Sequence, residues 1–573
     1  MGLVLGAMLG TGAVAQEGGA RGAVLPAAPV PDDAAGTVAP KPRFVVPEVP
    51  QVVRGMPETV DGAPGPAPSP EHVAALADAG PEERRAVLAF YEARDFAPFW
   101  TEGDAGIALI ETLRDAGRHG LPVSRYSPGE MESLVAGGDP VAAEIGLTRA
   151  YLRYARDMTG GAVDPRAVDA EINLAPKRPG DAELLALLEG APVAEVLAGL
   201  VPDTPEYAAL LAERERLEAV AQEGGWGARV PEGPALRPGD MSTRVAALRA
   251  RLRALGYEAP GEGERYDAAL ATVVETFQRE NGLVADGVLG ARTLAALNAS
   301  PQDRIDQITV ALERIRWMPD DLGMRYVWVN IPDYTVSVFE VGERVYHTRA
   351  VVGEPGETRT PEFSERMTYL VVNPTWYIPD SIAKRVYLPQ LRRNPDVLRN
   401  NNMRLFTRAG TEIDPALVNF AALGDSFPFR VRQNPSPANA LGRVKFMFPN
   451  QFAIYLHDTP ARELFNRDRR AFSNGCVRLE DPFELAYYLL APQLDDPETT
   501  FRSWVEAGAE RNVTLEQPIQ VHIVYRTAWA DADGVHYRAD VYGRDRKLLA
   551  ALKAADIEAA ARQTVATSTG SAG

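Results

Sequence analysis

Between about residue 70 and residue 230 the apolar positions recur at the spacing of an α-helix. In PEERRAVLAFYEARDFAPFW, one helical face carries Val87, Phe90, Tyr91 and Arg94. The stretches DAELLALLEGAPVAEVLAGL and PEYAALLAERERLEAVAQEG are two further amphipathic candidates, and Gly and Pro residues separate them. This pattern predicts a helical scaffold domain over 70–230, in which no catalytic constellation is evident.

Residues 236–299 repeat the helical pattern in a shorter unit. In DMSTRVAALRARLRALGY one face holds Val245, Leu248, Leu252 and Leu255, and Asp240 or Ser242 is placed to cap the helix. YDAALATVVETFQRENGL supplies a second helix and ADGVLGARTLAALN a Gly-rich turn and a third. The pieces LRALGY, ETFQRENGL and DGVLGARTLAAL resemble the peptidoglycan-binding module of bacterial wall enzymes. The alternative is a plain three-helix spacer, which would not need the D-G-x-x-G turn.

From about residue 305 the period changes to two, which predicts β-strands up to about residue 545. MRYVWVNIPDYTVSVFEVGERVYHTRAVVG is expected to form three strands, with breaks at 331–333 and 341–343. MTYLVVNPTWYIP and QFAIYLH continue the strand pattern, and PIQVHIVYRTAWADADGVHYRADVYG predicts a hairpin about 531–534. A mostly-β sandwich or half-barrel follows, so the fold class is multidomain α+β.

Three segments fall outside this β pattern. The polar, Asn- and Arg-rich stretch 380–444 is too long for a loop in a compact domain, and we interpret it as a lid or capping insertion. Residues 546–573 are predicted to form a C-terminal helix and a disordered tail. Residues 16–69, rich in Ala, Pro, Gly and Val, are predicted to be a disordered tether.

The first 15 residues form a short apolar run that ends in Ala-Val-Ala, a cleavage pattern of exported proteins. No Lys or Arg precedes the run, so the segment is interpreted either as a cleaved signal peptide or as a weak membrane anchor. No later stretch reaches the ~18 uninterrupted apolar residues of a membrane span. We therefore expect export to the periplasm, with or without attachment to the inner membrane.

The composition of the chain excludes several classes of partner and site. The formal net charge of -18 argues against nucleic acid as a partner. The six histidines show no H-x-x-x-H or paired Cys/His spacing, so neither a metal nor another cofactor is expected. The single cysteine, Cys476, excludes an internal disulfide.

The surroundings of Cys476 suggest a nucleophile. In QFAIYLH, strand alternation places Tyr455 and His457 on one face. SNGCVR then provides Ser473, Asn474 and Gly475 before the cysteine and Arg478 two residues after it. A histidine can take the thiol proton, and a glycine lets backbone N–H groups point at an oxyanion. A lone cysteine is nevertheless more often a small buried core residue.

HDTP…SNGCVR resembles the active-site signature of the L,D-transpeptidase (YkuD-type) family. AVVGEPGETRTPEF, VVNPTWYIP and GRVKFMFPN resemble other blocks of its large Gram-negative members, which also carry a helical scaffold, a peptidoglycan-binding module and a lid-like insertion. The resemblance covers roughly 305–545, and about half the chain with the binding module. Two departures stand out, because Asn474 replaces a common histidine and Glu362-Phe363 alter the T-P-x-G stretch.

The resemblance implies a periplasmic acyltransferase that acts on peptidoglycan stem peptides and forms 3→3 cross-links through a Cys476 thioester. His457 would be the base and then the acid, with Gly475 and Cys476 N–H groups as oxyanion donors. Arg478 would anchor a stem carboxylate or merely brace the loop, and Tyr455 and Trp376 would line the cleft or be core aromatics. The expected partners are a donor tetrapeptide, an acceptor stem and other wall synthases, with the enzyme a monomer and a carbapenem target.

Two alternatives stay open at this point. The same thioester serves L,D-carboxypeptidase, amino-acid exchange or lipoprotein attachment, which differ only in the acceptor. A non-catalytic wall-binding protein is the second alternative.

Overall fold

The computed structural model describes residues 68–424 and 426–570, with side chains described up to residue 557. The predicted signal or anchor segment (1–15) and nearly all of the predicted tether (16–69) lie outside this part of the chain. Within it, no helix is long and apolar enough to cross a membrane.

The first helical region confirms the amphipathic pattern. Its core includes Phe90, Tyr91 and Trp100, and α5 supplies a row of buried residues through its middle. Leu548 and Leu552 of the C-terminal helix pack into the same core, so the end of the chain returns to the helical region. The helices are α1 Pro70–Ala75, α2 Pro81–Glu92, α3 Ala105–Asp115, α4 Pro128–Ala136, α5 Pro140–Gly160, α6 Pro165–Val168, α7 Asp181–Ala186, α8 Val193–Gly199 and α9 Pro205–Gln222.

The small three-helix unit has the predicted helices and its own core. The helices are α10 Thr243–Ala254, α11 Ala268–Glu280 and α12 Ala291–Leu297. Ser242 caps α10 by accepting a hydrogen bond from the Arg244 N–H, as one of the two candidates predicted. Val245, Leu248 and Leu252 are fully buried, whereas Leu255 is only partly covered.

The strand pattern begins later than predicted. Residues 305–316 belong to helix α13 (Pro301–Arg316), which packs along α9, so the expectation of β structure from residue 305 was wrong there. Ile305, Ile308 and Leu312 recur at helical spacing and are buried. From residue 325 the three predicted strands and the 531–534 hairpin are present.

The large sheet closes on itself. Its order is β11-β3-β12-β10-β9-β4-β13-β1-β2, and an additional β2–β3 pairing joins the two sides. The interior is filled by buried aliphatic and aromatic side chains from nearly every strand. The strands are β1 Arg325–Asn330, β2 Thr335–Glu340, β3 Glu343–Gly353, β4 Phe363–Val372, β9 Val444–Met447, β10 Leu456–His457, β11 Ala471–Ser473, β12 Val477–Leu479 and β13 Arg511–Val524. With the helical parts, this mostly-β region confirms the α+β class.

Smaller elements complete the β region. Helices α17 Pro482–Leu490 and α18 Pro497–Glu506 cover the sheet, β14 Ala528–Asp531 and β15 Gly534–Tyr537 form the hairpin, and α19 Arg544–Gly570 ends the described chain. Residues 373–443, here called the insertion subdomain, have a separate core and a four-stranded sheet of order β5-β8-β6-β7. Its elements are β5 Trp376–Ile378, α14 Asp380–Ile382, α15 Leu388–Leu391, α16 Val397–Asn400, β6 Met403–Thr407, β7 Glu412–Ile413 and β8 Phe429–Gln433.

A buried ion-pair cluster joins the β region to two helices. Glu362, which is 1% exposed, accepts from Arg314 of α13 at 2.6 Å and from Arg544 of α19 at 3.1 Å. Arg544 also donates to the Thr360 carbonyl at 3.0 Å and to Glu171 of the helical region at 2.9 Å. Buried charges with this many partners stabilise one arrangement, because losing a partner leaves a charge without compensation.

We expect Glu362→Ala to lower the free energy of unfolding by about 3–5 kcal/mol, because two buried guanidinium groups lose the carboxylate that they share, and each keeps only one other carboxylate. Urea unfolding followed by circular dichroism measures the change. The control is Glu498→Ala, which removes the exposed Glu498–Arg502 pair at 2.9 Å and should lower the free energy of unfolding far less, because solvent screens the two charges. Equal effects of the two substitutions would contradict a structural role for the cluster.

Candidate active site

Three neighbouring strands place the predicted site residues side by side. Strand β10 runs parallel to β12 and antiparallel to β9, and His457 is in register with Arg478 on one side and Lys445 on the other. The Val477 N–H donates to the Tyr455 carbonyl at 3.1 Å, which sets Cys476 level with Tyr455. Paired residues of adjacent strands point to the same face. The sheet therefore brings Cys476, Tyr455, His457 and Arg478 together.

The strand before His457 is shorter than predicted. Only Leu456 and His457 are paired in β10, whereas residues 451–455 form a turn in which Ala453 has a φ of 55°. The Asn450 side chain holds this turn by accepting from the Phe452 and Ile454 N–H groups and donating to the Ile454 carbonyl. Tyr455 and His457 still share one side, since their ring centroids lie 5.6 Å apart.

Hydrogen bonds inside the loop fix the backbone around the cysteine. The Ser473 hydroxyl donates to the Cys476 carbonyl at 2.5 Å and accepts from the Gly475 N–H at 3.1 Å. Gly475 has a φ of 115°, and an added Cβ would lie 3.1 Å from the Ile454 side chain. Glycine is therefore required here both by backbone conformation and by space.

Thr360 fixes the same loop through hydrogen bonds to the backbone of Gly475 and Gly353. Its hydroxyl donates to the Gly475 carbonyl at 2.7 Å and accepts from the Gly353 N–H at 2.9 Å. The Tyr542 hydroxyl donates to the Gly353 carbonyl at 2.6 Å and accepts from the Thr360 N–H at 3.2 Å. Sequence reasoning missed both residues as contributors to the site. Only the T-P stretch pointed towards Thr360, and nothing local pointed to Tyr542.

The loop geometry bears on the predicted oxyanion donors. The Gly475 N–H already donates to the Ser473 hydroxyl, so it is engaged in this state of the protein. Among the described contacts, the Cys476 N–H has no hydrogen-bond partner. Of the two predicted donors, the Cys476 N–H is thus the one that is free to bind an oxyanion.

Asn474 contacts the insertion subdomain. Its side-chain oxygen accepts a hydrogen bond from Arg385, which lies in the π-helical turn Ala383–Tyr387. This contact ties the residue before Gly475 to the insertion subdomain. An amide oxygen can accept from a guanidinium regardless of pH, whereas a histidine would do so only in its neutral form.

Cys476 is protonated in the resting site. Its partly exposed thiol lies 3.6 Å from the Ala453 carbonyl, to which it donates. Burial raises the pKa of the thiol to about 11, although hydrogen bonds from Tyr455 and the charges of Arg478 and Lys445 act in the opposite direction. The Tyr455 hydroxyl is therefore placed to stabilise a thiolate when one forms.

His457 is neutral and its tautomer is set by the backbone. The ring is buried, and Nδ1 donates to the Asp458 carbonyl at 2.5 Å, which leaves the lone pair on Nε2. Burial lowers the pKa of His457 to about 3, and the charges of Arg478 and Lys445 lower it further, against the backbone carbonyls of Asp458 and Leu441. His457 lies two residues beyond Tyr455, which is level with Cys476 on the neighbouring strand. Among the contacts described, no hydrogen bond joins the side chains of His457 and Cys476.

Two cations flank the site, and neither Arg478 nor Lys445 forms a direct ion pair among the residues that the structure describes. The carboxylates of Glu463 and Glu510 act on Arg478 and Lys445 from beyond ion-pair distance. The Arg478 Nε is buried and has no hydrogen-bond partner, and burial lowers the pKa of Arg478. The Lys445 ammonium lies 5.8 Å from the centre of the Tyr455 ring. Such unpaired cations can bind a carboxylate.

Lys445 was missed by sequence reasoning. In GRVKFMFPN it interrupts an otherwise apolar strand, between the buried residues Val444 and Phe446. A lysine on the outward face of a strand is usually a solvated surface residue, so only the pairing with His457 shows that it belongs to the site.

Trp376 and Tyr455 link the insertion subdomain to the cysteine. Trp376 is 9% exposed and belongs to the insertion core, against which Tyr455 packs. The Tyr455 hydroxyl interacts with the Trp376 indole on one side and with Cys476 on the other. Tyr455 is therefore a packed residue that also meets the thiol, whereas Trp376 is a core aromatic that is linked to the thiol through Tyr455.

The helical region reaches the loop that holds the cysteine. The Asn173 N–H donates to the Glu362 carbonyl at 2.7 Å, and the Glu362 N–H donates to the Glu171 carbonyl at 2.9 Å. Arg359 adds ion pairs to Asp169 at 3.2 Å and Glu171 at 2.9 Å. Residues 359–362 are thus held between the helical region and the Thr360–Gly475 hydrogen bond. In the described part of the chain, no cluster of side chains could hold a metal ion.

These features define a β-sheet domain with a single-cysteine site beside a neutral histidine and two unpaired cations. Residues 324–506 match the family model of the L,D-transpeptidase catalytic domain. Residues 85–213 match the model of a scaffold domain, and residues 242–297 match that of a "Putative peptidoglycan binding domain". Three segments of the chain thus match models of the three domain types that the resemblance implied, each in the expected region.

Known proteins with similar sequences or folds carry related names. The chain is 33% identical over 250 residues to a Haemophilus influenzae protein named "Putative L,D-transpeptidase", in a match that covers 44% of this chain and 50% of that protein. The chain thus spans about half the length of this curated relative. Solved L,D-transpeptidases from Xylanimonas cellulosilytica and Stackebrandtia nassauensis are 15% and 14% identical. They cover 51% and 52% of this chain, and 99% and 97% of their own, with TM-scores of 0.16 and 0.20.

We expect alkylation of Cys476 by iodoacetamide to rise about tenfold per pH unit between about pH 7 and about pH 10. The reason is that a thiol whose pKa is raised to about 11 gains thiolate throughout this range. Mass spectrometry of the single cysteine gives the rate, and Cys476→Ser should take up no label. A plateau below about pH 8 would show a thiolate already formed in the resting protein.

Lys445→Met should slow the same alkylation at fixed pH by about two- to tenfold, because removing a nearby cation raises the pKa of the Cys476 thiol further. The comparison is Lys553→Met, which removes an exposed cation of α19 that lies outside the site. An unchanged or faster rate for Lys445→Met would show that Lys445 does not act on the thiol.

Proposed function

We propose that the protein is a peptidoglycan L,D-transpeptidase that forms 3→3 cross-links through a Cys476 thioester. The observation that supports this proposal most directly is the position of Cys476. It lies beside Tyr455 and His457 and near Arg478 and Lys445, two cations that form no direct ion pair among the described residues. The matches to a catalytic domain and a wall-binding domain support the choice of substrate. Stem peptides bring carboxylates, which is the chemistry that Arg478 and Lys445 lack in the protein itself.

Acylation begins with attack of the Cys476 sulphur on the carbonyl at the L-centre of meso-diaminopimelate, the third stem residue. His457 Nε2 takes the thiol proton, and the Cys476 N–H donates to the oxyanion of the tetrahedral intermediate. The carbon–nitrogen bond to D-Ala then breaks, and His457 returns the proton to the leaving amine. A thioester and free D-Ala result.

Deacylation reverses the roles with a different amine. The side-chain amine at the D-centre of a second stem attacks the thioester carbonyl, and His457 accepts the proton that this amine loses. Collapse of the intermediate releases the sulphur, which regains a proton from His457. The new amide is the 3→3 cross-link, and the enzyme is restored.

The low pKa of His457 determines when this transfer takes place. A neutral imidazole whose pKa is held at about 3 is a weak base in the empty site, mainly because it is buried and then because Arg478 and Lys445 are charged. A substrate carboxylate bound to these cations would offset their charge and raise the pKa of His457. In this proposal the substrate therefore prepares its own base, and the empty site keeps the thiol protonated.

The insertion subdomain supports a large acceptor over water. It contacts the site through Arg385 on Asn474 and through Trp376 on Tyr455. In this proposal the insertion subdomain limits the access of water to Cys476 and forms part of the channel through which a second stem reaches the thioester. L,D-carboxypeptidase, amino-acid exchange and lipoprotein attachment use the same thioester and are separated by the acceptor found in the assay. We place the enzyme in the periplasm as a monomer that receives stems from wall synthases.

Purified protein incubated with tetrapeptide muropeptides should release D-Ala and form 3→3 dimers, which mass spectrometry identifies. Cys476→Ala should form neither product, because the acyl acceptor is lost. His457→Gln should lower kcat by about 10²–10⁴-fold, since proton transfer is then unassisted. Arg502→Gln, on the exposed face of α18, should leave the rate at the wild-type level.

Each alternative function predicts a different outcome of this assay. Release of D-Ala with tripeptide but no dimer would indicate the carboxypeptidase, and incorporation of added D-amino acids would indicate exchange. Dimers formed equally by wild type and Cys476→Ala would overturn the thioester mechanism. Binding of sacculi without any product, and without a carbapenem adduct on Cys476, would indicate the non-catalytic alternative.

A further inference from the structure

A large cleft lies away from Cys476. Its volume is about 1050 Å³, and neither Cys476 nor His457 lines it. Four parts of the chain form its walls: residues 279–285 of the peptidoglycan-binding domain, the outer side of β1–β3, the β14–β15 hairpin and the beginning of α9. A cleft built from so many parts can hold a ligand larger than a single residue.

Polar contacts hold the peptidoglycan-binding domain at this place. The Val284 N–H donates to Asp468 at 2.5 Å, and Arg538 donates to the Glu280 carbonyl at 2.9 Å. Arg538 is itself paired with Asp333 of the β region at 2.6 Å. The cleft is therefore a defined feature between two domains that are in contact.

The floor combines aromatic and hydroxyl groups in register. Tyr326 and Phe339 are paired across β1 and β2, and their rings stack at 5.2 Å. Trp328, which is half-buried, is paired with Ser337, and the next pair is Asn330 with Thr335. The Ser337 and Thr335 hydroxyls bond to His347 and Asp333, and the Asn330 amide bonds to the Arg526 backbone. The apolar ring faces are therefore the part of the floor that matches a sugar, whose ring carbons stack on aromatic side chains.

Among the described residues that line the cleft, Asp533 is the one carboxylate without an ion pair, and the other unpaired charges are positive. Asp333 is paired with Arg538 and Asp531 with His536. Arg279 and Arg344 form no ion pair among the described residues, and both are exposed. Arg526, 4% exposed, donates to Glu206 at 2.5 Å, but its buried Nε has no hydrogen-bond partner. The cleft thus offers donors to an anionic ligand even though the whole chain is acidic.

We propose that this cleft binds the glycan strand of peptidoglycan, an acetylated amino-sugar chain that carries a free lactyl carboxylate wherever a stem peptide has been removed. The inference rests on the proposed function for the identity of the polymer. The sugars lie on the aromatic floor, and the carboxylates of the stem-free residues face the arginines. Because the peptidoglycan-binding domain supplies one wall and the catalytic domain the floor, a strand held here by its stem-free residues stays attached to the enzyme while a stem from another part of the strand enters the site at Cys476.

Binding can be measured without catalysis. Full-length Cys476→Ser protein is titrated by calorimetry with glycan strands from which an amidase has removed all stem peptides. Arg344→Glu and Trp328→Ala in the same background should each weaken binding at least about tenfold, since one reverses an exposed charge and the other removes a stacking face. The matched control Arg502→Glu, on the exposed α18, should bind like the parent.

The variants also separate folding from binding. Arg344 is exposed and forms no described hydrogen bond, so Arg344→Glu is expected to keep the parent's melting temperature, and its effect reports on the cleft alone. Parent protein that fails to bind peptide-free glycan, or that binds only the isolated stem, would overturn the proposal. Equal binding by parent and both cleft variants would do so too. Glycan binding by a protein that proves unable to cross-link would refute only the proposed function.

Discussion

The hydrogen bond from the Thr360 hydroxyl to the Gly475 carbonyl is the contact on which the site depends. Gly475 needs a positive φ, and a loop with that conformation has no regular strand pairing of its own to hold it. Thr360 in turn is buried, and neighbouring Glu362 is fixed between Arg314 and Arg544. The nucleophile loop is therefore held by a chain of buried polar contacts that ends in the helical scaffold. This gives the scaffold a direct structural role at the site, although it supplies no residue to the chemistry.

Electrostatics in the site favour a protected resting state. Burial raises the pKa of Cys476 and lowers that of His457, so both groups are neutral over the physiological range. Arg478 and Lys445 favour a thiolate but oppose an imidazolium. An anion that binds near them would weaken both effects. A thiol that is kept protonated is less susceptible to oxidation, because oxidation proceeds through the thiolate.

The insertion subdomain contacts the site at two points with different chemistry. Arg385 donates to Asn474 beside the nucleophile loop, and Trp376 meets the Tyr455 hydroxyl above the thiol. Asn474 is thus a point of attachment between the nucleophile loop and the insertion subdomain. The glycan cleft lies on another side of the same sheet, so the two ligand surfaces share β3: Arg349 and His347 line the cleft, whereas Val351 pairs with Arg478.

Local sequence determined a large part of this protein. Alternation and spacing were enough for the helical region, the three-helix unit, the first three strands and the 531–534 hairpin, because each depends on contacts between near neighbours in the chain. The motif around Cys476 also placed Tyr455, His457 and Arg478 correctly on one side. Lys445, Thr360 and Tyr542 could not be found in this way, since their relation to the cysteine comes from strand register and from packing over long sequence separations. The engagement of the Gly475 N–H and the neutral state of Cys476 and His457 likewise follow from burial and side-chain contacts, which only the tertiary structure decided.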